Sequence, residues 1–511
     1  MNALLLYPRF PVTFWSLGHA LKFVGRRSVM PPLGLLTVAA MLPPDWNLRL
    51  VDTNVRDLND DDLAWADIAL ISAMGVQRRS AKELIDRLKR ASVTVVAGGP
   101  LFTAEPDAFP EVDHLVLNEA EITLPRFLAD WQLGQPGRRY TTTDFADLSR
   151  SPIPRSDLLE MKHYFTMGVQ YSRGCPFNCE FCNVTTLFGR KPRTKSADQV
   201  IAELDGLRAA GWRHGVFFVD DNLIGNKKTV RTELLPALID YQAAHRGSGM
   251  PFNTQASINM ADDPKMLELL SRAGFDTVFI GIETPDAESL AECGKVQNRK
   301  RNMIDDVKTI QRAGIQVQGG FIVGFDSDTA SIFQRQIDFI QKSGIVTAMV
   351  GLLNALPGTA LHDRLRRDGR LLKDSSGDNV DGTTNFLPHM DLTLLNEGYR
   401  RILKSIYSPA NYYRRVRTFL REYRPPTIKS CRAKERHWAF VRSIYRLGIV
   451  GRERVQYWKL LVWTLARRPR LFSHAITLAI TGHHFRRVCE LHLATPQPVF
   501  AAGEAVAEST R

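Results

Sequence analysis

Arg173-Gly174-Cys175-Pro176-Phe177-Asn178-Cys179-Glu180-Phe181-Cys182 is the stretch that decides how this chain reads. Of six cysteines in 511 residues, three fall within these ten positions, which is no disulfide framework and points to a metal site in a reducing compartment. Three thiolates on one tight loop can hold three irons of a cubane and leave the fourth without a protein ligand. A structural zinc ion would take a fourth Cys or His at short spacing. None is present, and His163 lies upstream without ligand-like spacing.

Downstream of the loop, short apolar runs alternate with helical patterns. The runs at 169–171, 216–219, 252–256, 278–282, 317–322 and 348–353 read as strands, and 196–210 and 329–342 read as helices, the first capped by Ser196. Six strand–helix units predict a partial barrel of the TIM type, open on one side, over residues 161–390. Polar residues close several strands: Asp220, Asp221 and Asn222 the second, Glu283 the fourth, Asp326 the fifth. Active sites of such barrels lie at those strand ends.

Upstream, runs at 3–7, 48–52, 68–72, 94–97 and 114–117 alternate with helical patterns in the same way. They predict an α/β, doubly wound, Rossmann-like domain over 1–133, which would bind a ligand at the carboxyl ends of its strands. Gly134-Gln-Pro-Gly137, three successive threonines and Ser151-Pro-Ile-Pro154 mark a linker over 134–160. Beyond the barrel, 391–500 reads as a mostly helical, basic domain and 501–511 as a disordered tail.

The cysteine spacing, the aromatic Phe181 before the third cysteine and the six-unit barrel together resemble the radical S-adenosylmethionine (SAM) superfamily. That resemblance implies a [4Fe–4S] cluster on Cys175, Cys179 and Cys182, with SAM chelating the open iron and cleaved to a 5′-deoxyadenosyl radical. It also implies SAM contacts from Phe181, Asp220, Asn222 and Glu283, although rim residues of these types also cap helices.

The first domain carries, in order, Met30-Pro-Pro-Leu-Gly-Leu-Leu36, Val51-Asp52-Thr-Asn54, Ile71-Ser72-Ala-Met74, Ala97-Gly98-Gly99-Pro100 and Asn118-Glu119-Ala-Glu121. As an ordered set before a radical SAM motif, these look like the cobalamin-binding domain of the B12-dependent branch. The resemblance covers most of residues 1–400. It implies cobalamin contacts from Pro32, Gly34, Asp52, Asn54, Ser72, Gly98, Gly99, Pro100, Asn118 and Glu119, with Gly98 and Gly99 giving a bulky ligand close approach. The chain departs from the Asp-x-His-x-x-Gly pattern that supplies a lower-axial histidine, because Asn54 stands two residues after Asp52. The domain's histidines are otherwise His19 and His114, and His114 opens an apolar run, as a packed core residue would. A cobalt without a strong lower ligand is expected to give up a methyl group as a radical.

Apolar and charged contents of 44% and 24% are those of a globular protein. The net charge of +13 is local: residues 401–490 hold 21 Lys and Arg against 4 Asp and Glu, leaving −4 for the rest. Interleaved aromatics, as in Trp458-Lys-Leu-Leu-Val-Trp463-Thr-Leu-Ala-Arg467-Arg468, fit a helix lying on an anionic membrane surface. An ordinary helical domain with a cationic outer side is the plain alternative. Nucleic acid is a poorer fit, because methylthiolating RNA enzymes of the superfamily carry a second cysteine set ahead of the radical motif. The N-terminus shows no signal-peptide pattern and the apolar run near 471–481 is too short for a bilayer, so a cytoplasmic protein is expected, peripheral on the inner membrane face.

The whole pattern resembles the branch with a basic helical extension that includes hopanoid methylases. This implies methyl transfer to an unactivated carbon of a small hydrophobic substrate such as a membrane lipid, with electrons from a flavodoxin or ferredoxin. Carbon–carbon or ring formation on a lipid or tetrapyrrole uses the same cofactors, and a cobalamin sensor would use the first domain alone.

Overall fold

In the computed structural model, residues 1–372, 375–378, 380–425 and 433–494 are described, those at 433–436 by backbone only. The expected disordered tail at 501–511 lies outside them.

The first sheet comprises β1 (Asn2–Tyr7), β2 (Asn47–Asp52), β3 (Ile68–Ser72), β4 (Thr94–Gly98), β5 (His114–Val116) and β6 (Arg139–Tyr140), all parallel, in the order β2-β1-β3-β4-β5-β6. Both faces are buried, which is why its strands read as unbroken apolar runs. In β1, Ala3 and Leu5 enter one core cluster while Leu4 and Leu6 enter another, and all four are fully buried. The order reverses between β1 and β3, which opens a crevice at their carboxyl ends. β6 falls inside the stretch that composition marks as linker, so 134–160 is not wholly irregular. Helices α1 (Gly18–Val24) and α2 (Leu33–Ala39) follow β1.

The second sheet comprises β7 (Met167–Val169), β10 (Val216–Phe218), β11 (Phe252–Gln255), β12 (Phe275–Glu283), β13 (Gln316–Val323) and β14 (Ala348–Leu352), with the two-stranded ribbon β8 (Ser172–Arg173) and β9 (Arg193–Thr194) between β7 and β10 in the chain. Its order, β14-β13-β12-β11-β10-β7, is parallel throughout and leaves the barrel open between β14 and β7. Its first strand ends earlier than the run at 169–171 suggests. The amides of Tyr171 and Ser172 donate to the Asp220 carboxylate, which takes them out of the ladder. Helix α3 (Ala197–Ala209) opens on a capping box of Ser196 and Gln199, and α4 (Ile332–Ser343) covers β13.

The C-terminal region contributes α5 (Leu392–Ile406), α6 (Pro409–Glu422), α7 (Ala433–Ser443) running into a π-turn at Ile444–Ile449, α8 (Arg454–Arg467) and α9 (Phe472–Ala494). These helices share one continuous apolar core with the barrel. Not all of the basic charge faces water. Arg415 is 1% exposed and donates to Gln341 Oε1 at 2.7 Å, Ile406 O at 2.9 Å and Val346 O at 3.2 Å. None of the helices, among the described residues, is long and apolar enough to cross a membrane.

α9 also reaches back to the start of the chain. Phe485 stacks on Phe14 at 4.2 Å between ring centroids, and His484 Nε2 lies 3.0 Å from Phe14 O. Burial pulls the His484 imidazole down to about 4 from its usual 6.5. The unfolded chain therefore binds a proton here that the folded chain refuses, so this contribution is complete above pH 6.5 and is lost as pH falls toward 4. The excess loss of unfolding free energy over that window is expected to shrink in His484→Gln, measured by denaturant titration at each pH.

Candidate active site

Gly174 turns the chain into the cysteine loop at φ +92°, and a Cβ there would stand 2.9–3.0 Å from three carbonyl oxygens, those of Phe188, Gly189 and Lys191. No other residue fits. The loop is then tied down at both ends. Arg173 forms ion pairs with Glu119 at 2.8 Å and Glu121 at 2.7 Å, and Arg193 joins Glu119 at 2.7 Å. Glu180 binds Arg364 at 2.6 Å, and Arg364 continues to Asp326 at 3.0 Å. Further in, Glu180 N donates to Cys293 O, and Cys182 N to Cys179 O.

Cys175, Cys179 and Cys182 are half-buried, free thiols. Burial pushes all three up, Cys182 to about 12, so loading iron must displace their protons. Side-chain donors stand beside the sulfurs: Asn222 Nδ2 is 4.0 Å from Cys175 Sγ, and Gln297 Nε2 is 3.9 Å from Cys179 Sγ. Among the described residues, no three Cys, His, Asp or Glu side chains gather closely enough to share one ion. A cubane, by contrast, takes one thiolate per iron. Gln297 Oε1 is buried without a partner next to the same loop, an acceptor left for a bound group. The donor set therefore fits the cluster.

Asp220 lies beneath this site and not in it. It is fully buried, and its carboxylate accepts from the amides of Tyr171 and Ser172 and from Ser172 Oγ, so it positions the turn that launches the loop. Burial pushes it up to about 7. Its neighbour Asp221 accepts from the Gly174 backbone and is pushed by burial to about 6. Asn222 joins the ends of β10 and β11, its Oδ1 accepting from Ser257 N at 3.2 Å. Phe181 packs in a small apolar cluster with Phe325, the ring centroids 6.3 Å apart.

Glu283 ends β12 at φ +63°, where the register with β13 slips. A strained non-glycine residue of this kind is held by its surroundings and occurs preferentially at functional sites. Its Oε1 pairs with Lys295 Nζ at 2.7 Å, and both side chains are largely buried. The pair lies directly over Gly281, where any Cβ would overlap it. Burial lowers the Lys295 ammonium, but Glu283 and the nearby Cys179 outweigh this and hold it raised. A carboxylate and an ammonium side by side near the cysteine loop match the amino and carboxylate groups of methionine. Lys295 and Gln297 escaped the sequence reading because they sit in an irregular turn with no motif of their own.

At the first sheet's carboxyl edge the expected cobalamin contacts divide. Gly34, one residue into α2 after Pro32, faces open space and Met74, beyond Ser72, is exposed, whereas the backbone at Gly75 and Val76 is covered by Gly377, on which a Cβ would lie 2.6 Å from Val76 N. Gly98 and Gly99 are required by the chain itself. A Cβ on Gly98 would lie 2.5 Å from Val116 O, and one on Gly99, at φ +88°, would lie 2.6 Å from Ser72 Oγ. Pro100 follows as the first residue of a short helix. Asp52, Asn54, Asn118 and Glu119 are turned inward. Asp52 accepts from Asn54 Nδ2 at 2.7 Å and from Tyr164 Oη at 3.0 Å, and Asn54 also bonds Phe10 N and Pro8 O. Asn118, at φ +62°, accepts from Thr141 Oγ1, and Glu119 is consumed by its two arginines. Two residues after Asp52, where the pattern has a histidine, there is thus an asparagine engaged with Asp52 and with the loop after β1. Neither other histidine replaces it: His114 begins β5 at the opposite edge, 2.7 Å from Gly137 O, and His19 lies against His484. The open space at Gly34 leaves room for a cobalamin, and neither His19 nor His114 is placed to ligate it.

Residues 24–128 match the family model of the B12 binding domain, 169–340 that of the radical SAM superfamily, and 359–497 a domain of unknown function. An uncharacterized methyltransferase of Synechocystis sp. is 41% identical over 504 residues, covering 96% of this chain and 92% of its own. The hopanoid C-2 methylase of Rhodopseudomonas palustris is 34% identical over 495 residues, covering 94% and 92%. The solved structure of a radical SAM methyltransferase from Kitasatospora setae, with cobalamin and a [4Fe–4S] cluster bound, superposes with a TM-score of 0.62 at 14% identity, over 96% of this chain and 99% of its own. It shows the shared fold.

Proposed function

From the premise that this chain belongs to the cobalamin-dependent radical SAM methyltransferase family, we propose that its substrate is lipid-like and that it methylates an unactivated carbon of that substrate. The enzyme's cofactors are a [4Fe–4S] cluster, SAM and cobalamin, and it requires a reductant. When bound, they supply a hydrogen-abstracting radical and a methyl donor. The residues do the rest. Cys175, Cys179 and Cys182 would hold the cluster, and Glu283 with Lys295 would orient the methionine end of SAM. The Arg173–Glu119–Arg193 and Arg173–Glu121 pairs tie the cysteine loop and the β8–β9 ribbon to the carboxyl edge of the first sheet, which would bring both reagents to one space. The observation that carries the reading is this joining of the cysteine loop to the first sheet's carboxyl edge, with the buried Tyr164–Asp52 bond as a second tie ahead of β7.

A lipid-like substrate is supported by the hopanoid methylase at 34% identity and by apolar side chains on the barrel strands β12 and β14. Trp15 Nε1 lies 3.0 Å from Met349 Sδ, and its ring meets Phe279 edge-on at 5.5 Å. The same reading has the enzyme peripheral on the cytoplasmic face of a membrane and fed by a low-potential donor such as a flavodoxin or ferredoxin.

Comparing the lipids of a deletion strain with its parent identifies the missing product. Turnover with SAM bearing a trideuterated methyl group is then expected to add about 17 mass units, CD₃ replacing H. Product without label, with one 5′-deoxyadenosine per turnover, would mean ring or carbon–carbon bond formation instead. In the cob(II)alamin form, electron paramagnetic resonance is expected to report a base-off, His-off cobalt, with no nitrogen superhyperfine splitting from an axial imidazole, since Asn54 offers none.

A further inference from the structure

α8 is apolar on two sides. Tyr457, Leu460, Leu461 and Thr464 face the core, while Val455, Trp458, Val462 and Leu465 face out, 43–64% exposed. The outward set advances by three, four and three residues, which is one continuous helical line. A second line runs along α7 and its π-turn through Trp438, Val441, Tyr445 and Ile449, 41–63% exposed. The two lines meet where Trp458 lies across Gly448, its Nε1 donating to Gly448 O at 3.0 Å. A Cβ on Gly448 would press on that indole at 3.1 Å, so glycine is what lets the hairpin close.

Such a contiguous apolar face on an otherwise globular protein marks an interaction site. Its surroundings select the occupant. Residues 433–471 hold ten Lys and Arg against two acidic residues, and one of the acids, Glu453, is buried and paired with Arg486. Arg446, Arg452, Arg454, Lys459 and Arg467 are exposed along the same hairpin. Cations around a Trp- and Tyr-bearing apolar face suit an anionic lipid surface: rings and aliphatic side chains enter the acyl boundary while the cations meet headgroups. A protein partner, or a second copy of this chain, would have to bring a matching acidic rim, which this basic face does not offer to itself.

The face is also tied to the start of the chain, which touches the barrel strands. Arg442 Nη1 donates to Phe23 O at 2.8 Å, and the Arg446 guanidinium lies 5.4 Å above the Phe23 ring, so α7 rests on α1. α1 begins three residues after Trp15, which lies against Met349 of β14 and Phe279 of β12. We propose that the α7–α8 hairpin inserts into the surface of an anionic membrane and thereby holds the barrel mouth at the bilayer from which the substrate is taken. The choice of occupant rests on the lipid-like substrate proposed above.

Co-sedimentation of the full holoenzyme with phosphatidylcholine vesicles, and with the same vesicles containing phosphatidylglycerol, tests this. The unchanged chain is expected to partition into the anionic vesicles at least about tenfold more strongly. The V455S/V462S/L465S triple variant is expected to lose at least about tenfold in that partition. R452Q/R454Q/K459Q is expected to lose the preference for anionic lipid. These side chains are outside the core, so SAM cleavage in solution with dithionite should be that of the unchanged chain in both variants. This separates failure of the membrane face from failure of the radical reading. Undiminished binding by the apolar variant overturns the proposal. So does a dimer, seen by light scattering, that those substitutions dissociate, because the face would then join two copies.

Discussion

Cys179→Ala is expected to bring bound iron from four per chain to less than one, and SAM cleavage and methyl transfer to background. The physical reason is the count of ligands: two thiolates on a ten-residue loop do not retain a cubane that already has one open iron. The loop itself should survive, because Arg173 and Glu180 are anchored by ion pairs that do not involve Cys179. Cobalamin binding should survive as well, since its edge belongs to the first sheet. Iron content, cobalamin absorbance and 5′-deoxyadenosine formation, measured on one preparation, check all three statements. Full activity in Cys179→Ala would sink the cluster assignment, and unchanged cobalamin with no radical chemistry is what separates this enzyme from a cobalamin sensor.

Lys295→Met should produce the next largest change, and in two quantities at once. Removing the ammonium leaves the Glu283 carboxylate, 6% exposed, without its partner 2.7 Å away. Breaking a buried ion pair from one side destabilises by about 3–5 kcal/mol. A charge-assisted hydrogen bond to the methionine carboxylate, worth about 1.5–3 kcal/mol, would vanish with it, weakening SAM binding roughly ten- to hundredfold. The Lys295→Met/Glu283→Gln double variant distinguishes the two effects. Its unfolding free energy should return most of the way to that of the unchanged chain, while its SAM affinity, by equilibrium dialysis, should not. SAM binding that recovers together with stability would reduce the pair to a structural element.

Much of this was readable in the sequence, for identifiable reasons. Strands buried on both faces appear as plain apolar runs, so β1 and β3 stand out, and a cysteine triplet is conspicuous in a chain with six cysteines. What resisted reading was the direction in which polar side chains point. Asp220 and Glu283 both close barrel strands, yet one supports the turn before the cysteine loop and the other meets Lys295 at the site. Glu119 sits in a motif that implies a ligand, but two arginines from 54 and 74 residues later claim it. Periodicity does not carry long-range pairing of this kind. Charge counts misled in a similar way, since Arg415 is as buried as any core residue. The two-sided apolar character of α8 likewise hides in composition, where it looks like an amphipathic helix with a single apolar face.

The stacking of Phe14 on Phe485, with His484 bound 470 residues away on the Phe14 carbonyl, also sets an order of events during synthesis. A ribosome adding about 5–20 residues per second exposes the Phe14 segment for on the order of half a minute before its partner exists. Through that interval the nascent first sheet can form, and Trp15 can find Phe279 and Met349, but Phe14 lacks the ring that stacks on it. The start of the chain is made first and covered last, so a nascent chain stalled before α9 would leave the Phe14 segment without its final partner.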